Sequence, residues 1–230
     1  LRREIMGTAN RAPTPGELVK LRERVDRAMQ AGAWGISTGL IYIPGTFAGQ
    51  DELIALAQIV ARHGGLYASH MRNENTRLLE SIQETLAIGQ GAGVPVHISH
   101  FKASGRQAWG LAADAIALIR QARAAGQMVT ADQYPYTASS TSLSVLAVPR
   151  PYRQREHLLS ALQDPVEALK LRQGIAAELA PRDQGADLMV ASYAPNRSWQ
   201  GKTLVQLAAQ EQCTAVEIVL QMERNGGAQM

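Results

Sequence analysis

Apolar positions over the first 136 residues alternate between two patterns, helix-period faces and short runs of β-forming residues. That alternation predicts repeated β/α units. Thr14-Pro15-Gly16-Glu17 reads as a helix start, with a hydroxyl cap, proline at the first helical position and an acid in the first turn. Leu18, Leu21, Val25, Ala28 and Met29 then line one face as far as Gly32. Ala33 to Thr38 predicts a strand running into the loop Gly39 to Gly45. Gln50 to His63 predicts a helix with Leu53, Leu56, Ala57 and Val60 inward, closed by Gly64-Gly65. Strands are expected at 66–69, 94–99 and 128–133, with helices at 76–91 and 109–125 between them.

The units recur about every 30 residues without sequence identity, as expected of a parallel sheet built from βα units and unlike a solenoid. A doubly wound sheet and a β/α barrel both fit. Polar and metal-capable residues at successive strand ends favour the barrel, whose active sites are built there. After Tyr136 the rhythm changes. A loop of small residues, 137–144, leads to helices near 156–163 and 165–179, a candidate strand at 187–192, and helices near 203–210 and 215–224. The expected organisation is therefore a partial barrel over 1–136, with 137–230 forming a lid or insertion and late barrel elements of the same domain.

Composition narrows the class. With 46% hydrophobic and 19% charged residues in 230, the chain has the makeup of a folded globular protein. The net charge of +3 is small and its cations are interleaved with acids, so a nucleic-acid partner is not expected. No apolar run approaches the roughly 20 residues of a membrane span. No signal-peptide pattern is present either, so the expected location is cytoplasmic, without a membrane partner. The one cysteine, Cys213, excludes an internal disulfide and is expected to be a small buried side chain in a helical stretch.

The chemistry concentrates in Leu66-Tyr-Ala-Ser-His70 and Val96-His-Ile-Ser-His100. Both end in Ser-His, and one predicted helix separates them. Consecutive parallel strands present their C-terminal ends on one rim, so His70 and His100 are candidate metal ligands. Strand alternation puts residues 96, 98 and 100 on one face. With Ile98 and His100 toward a barrel interior, His97 would point to the helices in a structural role. Lys102 is placed to neutralise a substrate carboxylate, or is a solvated loop lysine. Tyr42 and the Asp132-Gln-Tyr-Pro-Tyr136 segment lie on the same predicted rim. No Gly-x-Ser-x-Gly elbow, GxGxxG or GxxxxGK[ST] motif occurs, which argues against a serine hydrolase or a phosphate-binding loop.

Four segments together resemble the N-acyl-D-amino-acid deacylases (D-aminoacylases) of the amidohydrolase superfamily. They are Gly32-Ala-Trp-Gly-Ile-Ser-Thr-Gly-Leu-Ile-Tyr42, Tyr67-Ala-Ser-His-Met-Arg-Asn-Glu74, Val94-Pro-Val-His-Ile-Ser-His-Phe-Lys102 and Asp132-Gln-Tyr-Pro-Tyr-Thr-Ala138. The resemblance implies a metal-dependent (β/α)8 barrel in which His70 and His100 bind zinc. It further implies that Lys102, Tyr134 and Ser140 hold the carboxylate of a small N-acyl-D-amino-acid substrate, and that Tyr42 contacts it near the scissile amide. Two departures accompany it. The His-x-His pair and metal-binding cysteine that the resemblance places on early strands are absent, and so is the catalytic aspartate expected on the last strand. The expectation is a central fragment, about strands 4–7 with the lid, weak in metal affinity and turnover. Its sheet edges would be covered by a second copy or by the remaining barrel. The alternatives are another amidohydrolase, such as a dihydroorotase-like cyclic amidase or a dipeptidase, and a non-catalytic α/β binding protein.

Overall fold

The Thr14 hydroxyl accepts the Glu17 N–H at 3.3 Å while the Glu17 carboxylate accepts the Thr14 N–H at 2.8 Å. This reciprocal cap, with Pro15 at the first position, starts a 16-residue helix. The computed structural model describes residues 1–230, which divide into two compact units, Leu1–Pro135 and Tyr136–Met230.

In the first unit a short helix α1 (Arg2–Met6) precedes α2 (Pro15–Gln30), and then strands and helices alternate. The strands are β1 (Gly35–Gly39), β2 (Leu66–His70), β3 (Val96–Ile98) and β4 (Val129–Ala131). Between them run α3 (Gln50–Arg62), α4 (Leu78–Ala92) and α5 (Ala112–Ala124). The sheet is fully parallel in the order β1-β2-β3-β4. Strand order that follows chain order without a reversal is that of a barrel wall; a doubly wound sheet would show a switch point.

Burial separates the two faces of the sheet. Tyr67, Val96, Ile98 and Val129 pack into one core with Leu21 and Val25 of α2, Leu53 and Leu56 of α3, Ile82 and Ile88 of α4, and Ala115 of α5. Their alternates, Leu66, Ala68, His70 and His97, lie on the other, more open face. This corrects the parity expected for β3. Ile98 is fully buried under the helices and His97 takes the open face, because the strand stops at Ile98 and alternation does not continue to His100.

The second unit has its own core. Helices α6 (Leu143–Ala147), α7 (Arg155–Ala161), α8 (Pro165–Leu179), α9 (Leu204–Gln210) and α10 (Ala215–Arg224) pack around Leu171, Ile175, Trp199 and Ile218. No strand forms over 187–192. Met189 bridges Thr203 and Ser192 bridges Gln229, so the segment meets two different partners at single points and no ladder extends. Cys213 is exposed, contrary to expectation. Helix α9 ends at Gln210 and Gln212 adopts φ 53°, which places Cys213 in a turn outside the amphipathic pattern. No helix is long and apolar enough to cross a membrane.

Two predictions follow from this packing. A Cβ on Gly35 would lie 2.0 Å from the Leu66 carbonyl oxygen, a backbone atom held in the β1–β2 ladder. Gly35→Ala is therefore expected to cost about 1–3 kcal/mol in urea unfolding, as an overpacked site does. In the last turn of α10, burial pushes the Glu223 carboxyl up to about 7, partly offset by Arg155, and Oε1 has no hydrogen-bond partner. The folded state then keeps a proton that the unfolded chain loses above pH 4–5, a range set by ordinary glutamate. The stability tied to this group is fully present below that range and is lost as pH rises toward 7. Glu223→Gln should flatten this part of the pH–stability curve, by on the order of 2 kcal/mol between pH 5 and 8.

Candidate metal centre

The end of β2 and the residues just beyond β2 and β3 bring four polar side chains together. Pairing of β1 with β2 continues to the end of the strand, where the Leu40 N–H donates to the His70 carbonyl at 3.0 Å. On the other side, the Ser99 N–H donates to the Ser69 carbonyl at 3.0 Å. The chain then turns sharply at His100, whose φ of 40° is left-handed. A non-glycine residue there costs about 1–2 kcal/mol. The turn rotates the imidazole back toward β2.

His70 Nδ1 and His100 Nε2 end 2.8 Å apart, with the rings edge to face. Glu74, four residues past His70, closes the group. Its Oε1 lies 2.9 Å from His100 Nδ1, and its Oε2 lies 2.6 Å from Lys102 Nζ. The Lys102 ammonium is also 2.9 Å from both His100 Nδ1 and the His100 carbonyl. One ligand atom each from His70, Glu74 and His100 falls within 4.8 Å of the others.

The hydrogen bonds are not closed. His70 Nε2 is buried without a partner, and Glu74 Oε1 is buried at ion-pair distance from His100 but off the hydrogen-bond line. With both rings neutral, Lys102 donates to His100 Nδ1 and His100 Nε2–H donates to His70 Nδ1, which leaves the His70 Nε2–H unmatched. Burial holds the His70 imidazole below its usual range against the pull of Glu74, and His100 and Lys102 add to the lowering. A neutral imidazole is the form that ligates a metal. Two imidazoles whose ring nitrogens face each other, with a buried carboxylate within 4.8 Å, fit a zinc-type donor set.

The other predicted residues distribute as follows. The Tyr42 ring lies 5.1 Å from the His70 ring, tilted by 48°. Its loop, which contains the cis Ile43–Pro44 bond, is held by Arg72. The Arg72 guanidinium donates to the Thr46 carbonyl at 2.7 Å, to the Ala48 carbonyl at 2.9 Å and to both Glu84 oxygens. Lys102 Nζ stands 5.5 Å over the Tyr134 ring, so lysine and tyrosine group with His100. Ser140 is an exposed coil residue of the second unit.

Sequence reasoning missed Glu74, although it closes the segment Tyr67–Glu74. A carboxylate four residues beyond a strand-end histidine is the signal that would have found it. His97 was read as helix-facing and Asp132 as a strand-end residue. Instead His97 Nδ1 is 2.8 Å from the Thr130 hydroxyl and Nε2 is 2.9 Å from Asp132 Oδ2.

A sequentially ordered parallel sheet with a His-Glu-His cluster at its C-terminal rim defines the class, part of a β/α barrel with a candidate metal centre. Comparison with known proteins narrows it, although no family profile matches the chain. It is 41% identical over 143 residues to a D-aminoacylase of Alcaligenes xylosoxydans xylosoxydans, a match covering 62% of this chain and 29% of that protein. It is 42% identical over 131 residues to an N-acyl-D-glutamate deacylase of the same organism, covering 57% and 27%. Among solved structures, N-acyl-D-glutamate deacylase from Bordetella bronchiseptica, complexed with zinc and a phosphonate mimic of the tetrahedral intermediate, aligns with a TM-score of 0.74. That alignment has 30% identity and covers 96% of this chain and 39% of that one. A D-aminoacylase crystal structure aligns at 0.73 with 28% identity, covering 99% and 40%. Over 57–62% of its length the chain is similar to D-aminoacylases and N-acyl-D-amino-acid deacylases. It spans less than a third of the length of the curated relatives it matches.

Glu74 and Lys102 are both largely buried, so removing one charge strands the other. Glu74→Gln should lower stability by about 1–3 kcal/mol. The double variant Glu74→Gln/Lys102→Met should recover part of that loss, and denaturant unfolding of the unmodified protein, Glu74→Gln, Lys102→Met and the double variant gives the coupling directly.

Proposed function

We propose that this chain supplies part of the metal site and substrate cradle of a zinc-dependent hydrolase that cleaves the amide bond of N-acyl-D-amino acids. The products are a carboxylate and a free D-amino acid. The observation that carries this reading is the convergence of His70, Glu74 and His100 at adjacent strand ends, with His70 Nδ1 and His100 Nε2 facing each other at 2.8 Å. The deacylases to which the chain is similar, one of them in complex with zinc, support the substrate class and the metal.

His70 and His100 would hold the ion, with Glu74 adding negative charge within ligand reach. When bound, zinc supplies the Lewis acidity that polarises an amide carbonyl and makes water nucleophilic near neutral pH. The chain's own part is to orient and anchor. For His100 Nε2 to ligate, its ring proton must sit on Nδ1, facing Glu74 Oε1. Lys102 then loses its acceptor at Nδ1, and one ammonium donor is released for a substrate carboxylate. Tyr134, beside Lys102, offers a phenolic donor to the same group. Tyr42, over His70, contacts the substrate near the scissile amide. Anchoring the carboxylate at one end and the amide at the other converts loose binding into a reactive pose.

The test is zinc content together with release of D-amino acid from N-acetyl-D-glutamate, N-acetyl-D-aspartate and N-acetyl-D-methionine, in the protein carrying the complete barrel. Stoichiometric zinc and hydrolysis of D but not L substrates are expected, both falling to background in His70→Ala/His100→Ala. Full zinc in that double variant, or equal turnover of L substrates, would sink the reading.

A further inference from the structure

The feature left unused by this reading is a hydrogen-bonded relay on the open face of the sheet, running from β4 to the backbone of His100. The strand β3 ends at Ile98, so the N–H of His100 has no ladder partner. The Asp132 side chain takes that place, with Oδ1 accepting the His100 N–H. The same residue holds the turn from its backbone as well. The Asp132 N–H donates to the Ile98 carbonyl at 3.2 Å, and the Asp132 carbonyl accepts the Phe101 N–H at 2.8 Å. The second carboxylate oxygen is also engaged, since Oδ2 lies 2.9 Å from His97 Nε2. His97 Nδ1 in turn lies 2.8 Å from the Thr130 hydroxyl, on the residue paired with His97 across the ladder.

We infer that Asp132, steadied by His97 and Thr130, is a positioning residue that locks His100 into its left-handed turn and so aims the His100 ring at His70 and Glu74. The inference rests on the zinc-site reading and extends it to residues beyond the ligands. The requirement is geometric. A left-handed non-glycine residue persists only where its surroundings over-determine it, and here three bonds from one residue span the turn 98–101. Asp132 is 60% exposed, so its hold comes from satisfying a backbone donor and not from burial. His97 is the only side chain fixing Oδ2 among the contacts of that carboxylate. Its loss should loosen the carboxylate without removing the bond to His100.

The relay makes a prediction about charge as well as shape. An asparagine at 132 keeps the oxygen acceptor for the His100 N–H, and its amide donates to His97 Nε2 if His97 carries its proton on Nδ1, toward Thr130. Asp132→Asn should therefore behave like the unmodified protein where Asp132→Ala does not.

Two measurements test this. In the metal-free protein, long-range ¹H–¹⁵N spectra of the imidazoles should give one sharp His100 pattern for the unmodified protein and for Asp132→Asn. In Asp132→Ala the pattern should be shifted or broadened, while His63 and His157 stay unchanged as internal evidence of folding. Zinc titration by calorimetry should then show roughly 10–100-fold weaker binding in Asp132→Ala, a smaller loss in His97→Ala and near-normal affinity in Asp132→Asn, as for outer residues of metal sites. Unchanged His100 signals in Asp132→Ala would overturn the positioning role whatever zinc does. Should Asp132→Ala not fold, an unperturbed His100 pattern and normal zinc affinity in His97→Ala would overturn the relay. If His100→Ala binds zinc as tightly as the unmodified protein, the zinc reading itself fails, and the spectra still decide whether Asp132 orients the ring.

Discussion

One-sided burial of a parallel sheet is the constraint on which the first unit depends. Each strand must return to the same end of the sheet through a crossover helix, and the helices here cover one face only. Two consequences follow. The C-terminal ends of all four strands gather on one rim, which brings His70 and the turn holding His100 together without any long-range device. The other face is left to residues such as Leu66, Ala68 and His97, whose polar members must find partners along the sheet.

Within the rim, electrostatics and strain act in the same direction. Glu74 sits between the Lys102 ammonium and the His100 ring and pairs directly with the ammonium. Lys102, which that carboxylate holds, reaches back to the carbonyl and ring of His100. The backbone strain at His100 is offset by the bonds of Asp132. A donor set with only one of Glu74 and Lys102 would carry buried charge with no counter-ion, and one without the Asp132 bonds would carry strain with no restraint.

Legibility of the sequence was greatest where period and caps agree. Helix α2 begins at the predicted cap, and α8 begins at Pro165 behind an Asp164 side chain that accepts from two backbone N–H groups. The four strands were found because β-forming runs alternate with helical faces, although β3 and β4 are only three residues each. The segment 187–192 reads as a strand on its residue types, but strand formation needs a continuous partner, and its bridges fall on two different segments. The site was half legible. Ser-His at two strand ends marked the two histidines that converge, whereas Glu74 becomes visible only once the loop after β2 is seen to fold back over His100.

The misplacement of His97 shows why periodicity cannot fix a site at a strand's end. Alternation is a property of paired backbone, and it lapses where pairing stops. In β3 it stops at Ile98, two residues before His100, and one left-handed residue then sets the direction of the ring. The face assigned by counting belonged to Ile98, which needs the helix-side core for its burial. The histidine beyond it is placed by a hydrogen bond to Asp132, just past the end of β4. Strand-end chemistry is thus decided by what captures the first unpaired N–H groups. In this chain that capture falls to Asp132, a residue whose own sequence context reads as no more than the end of β4.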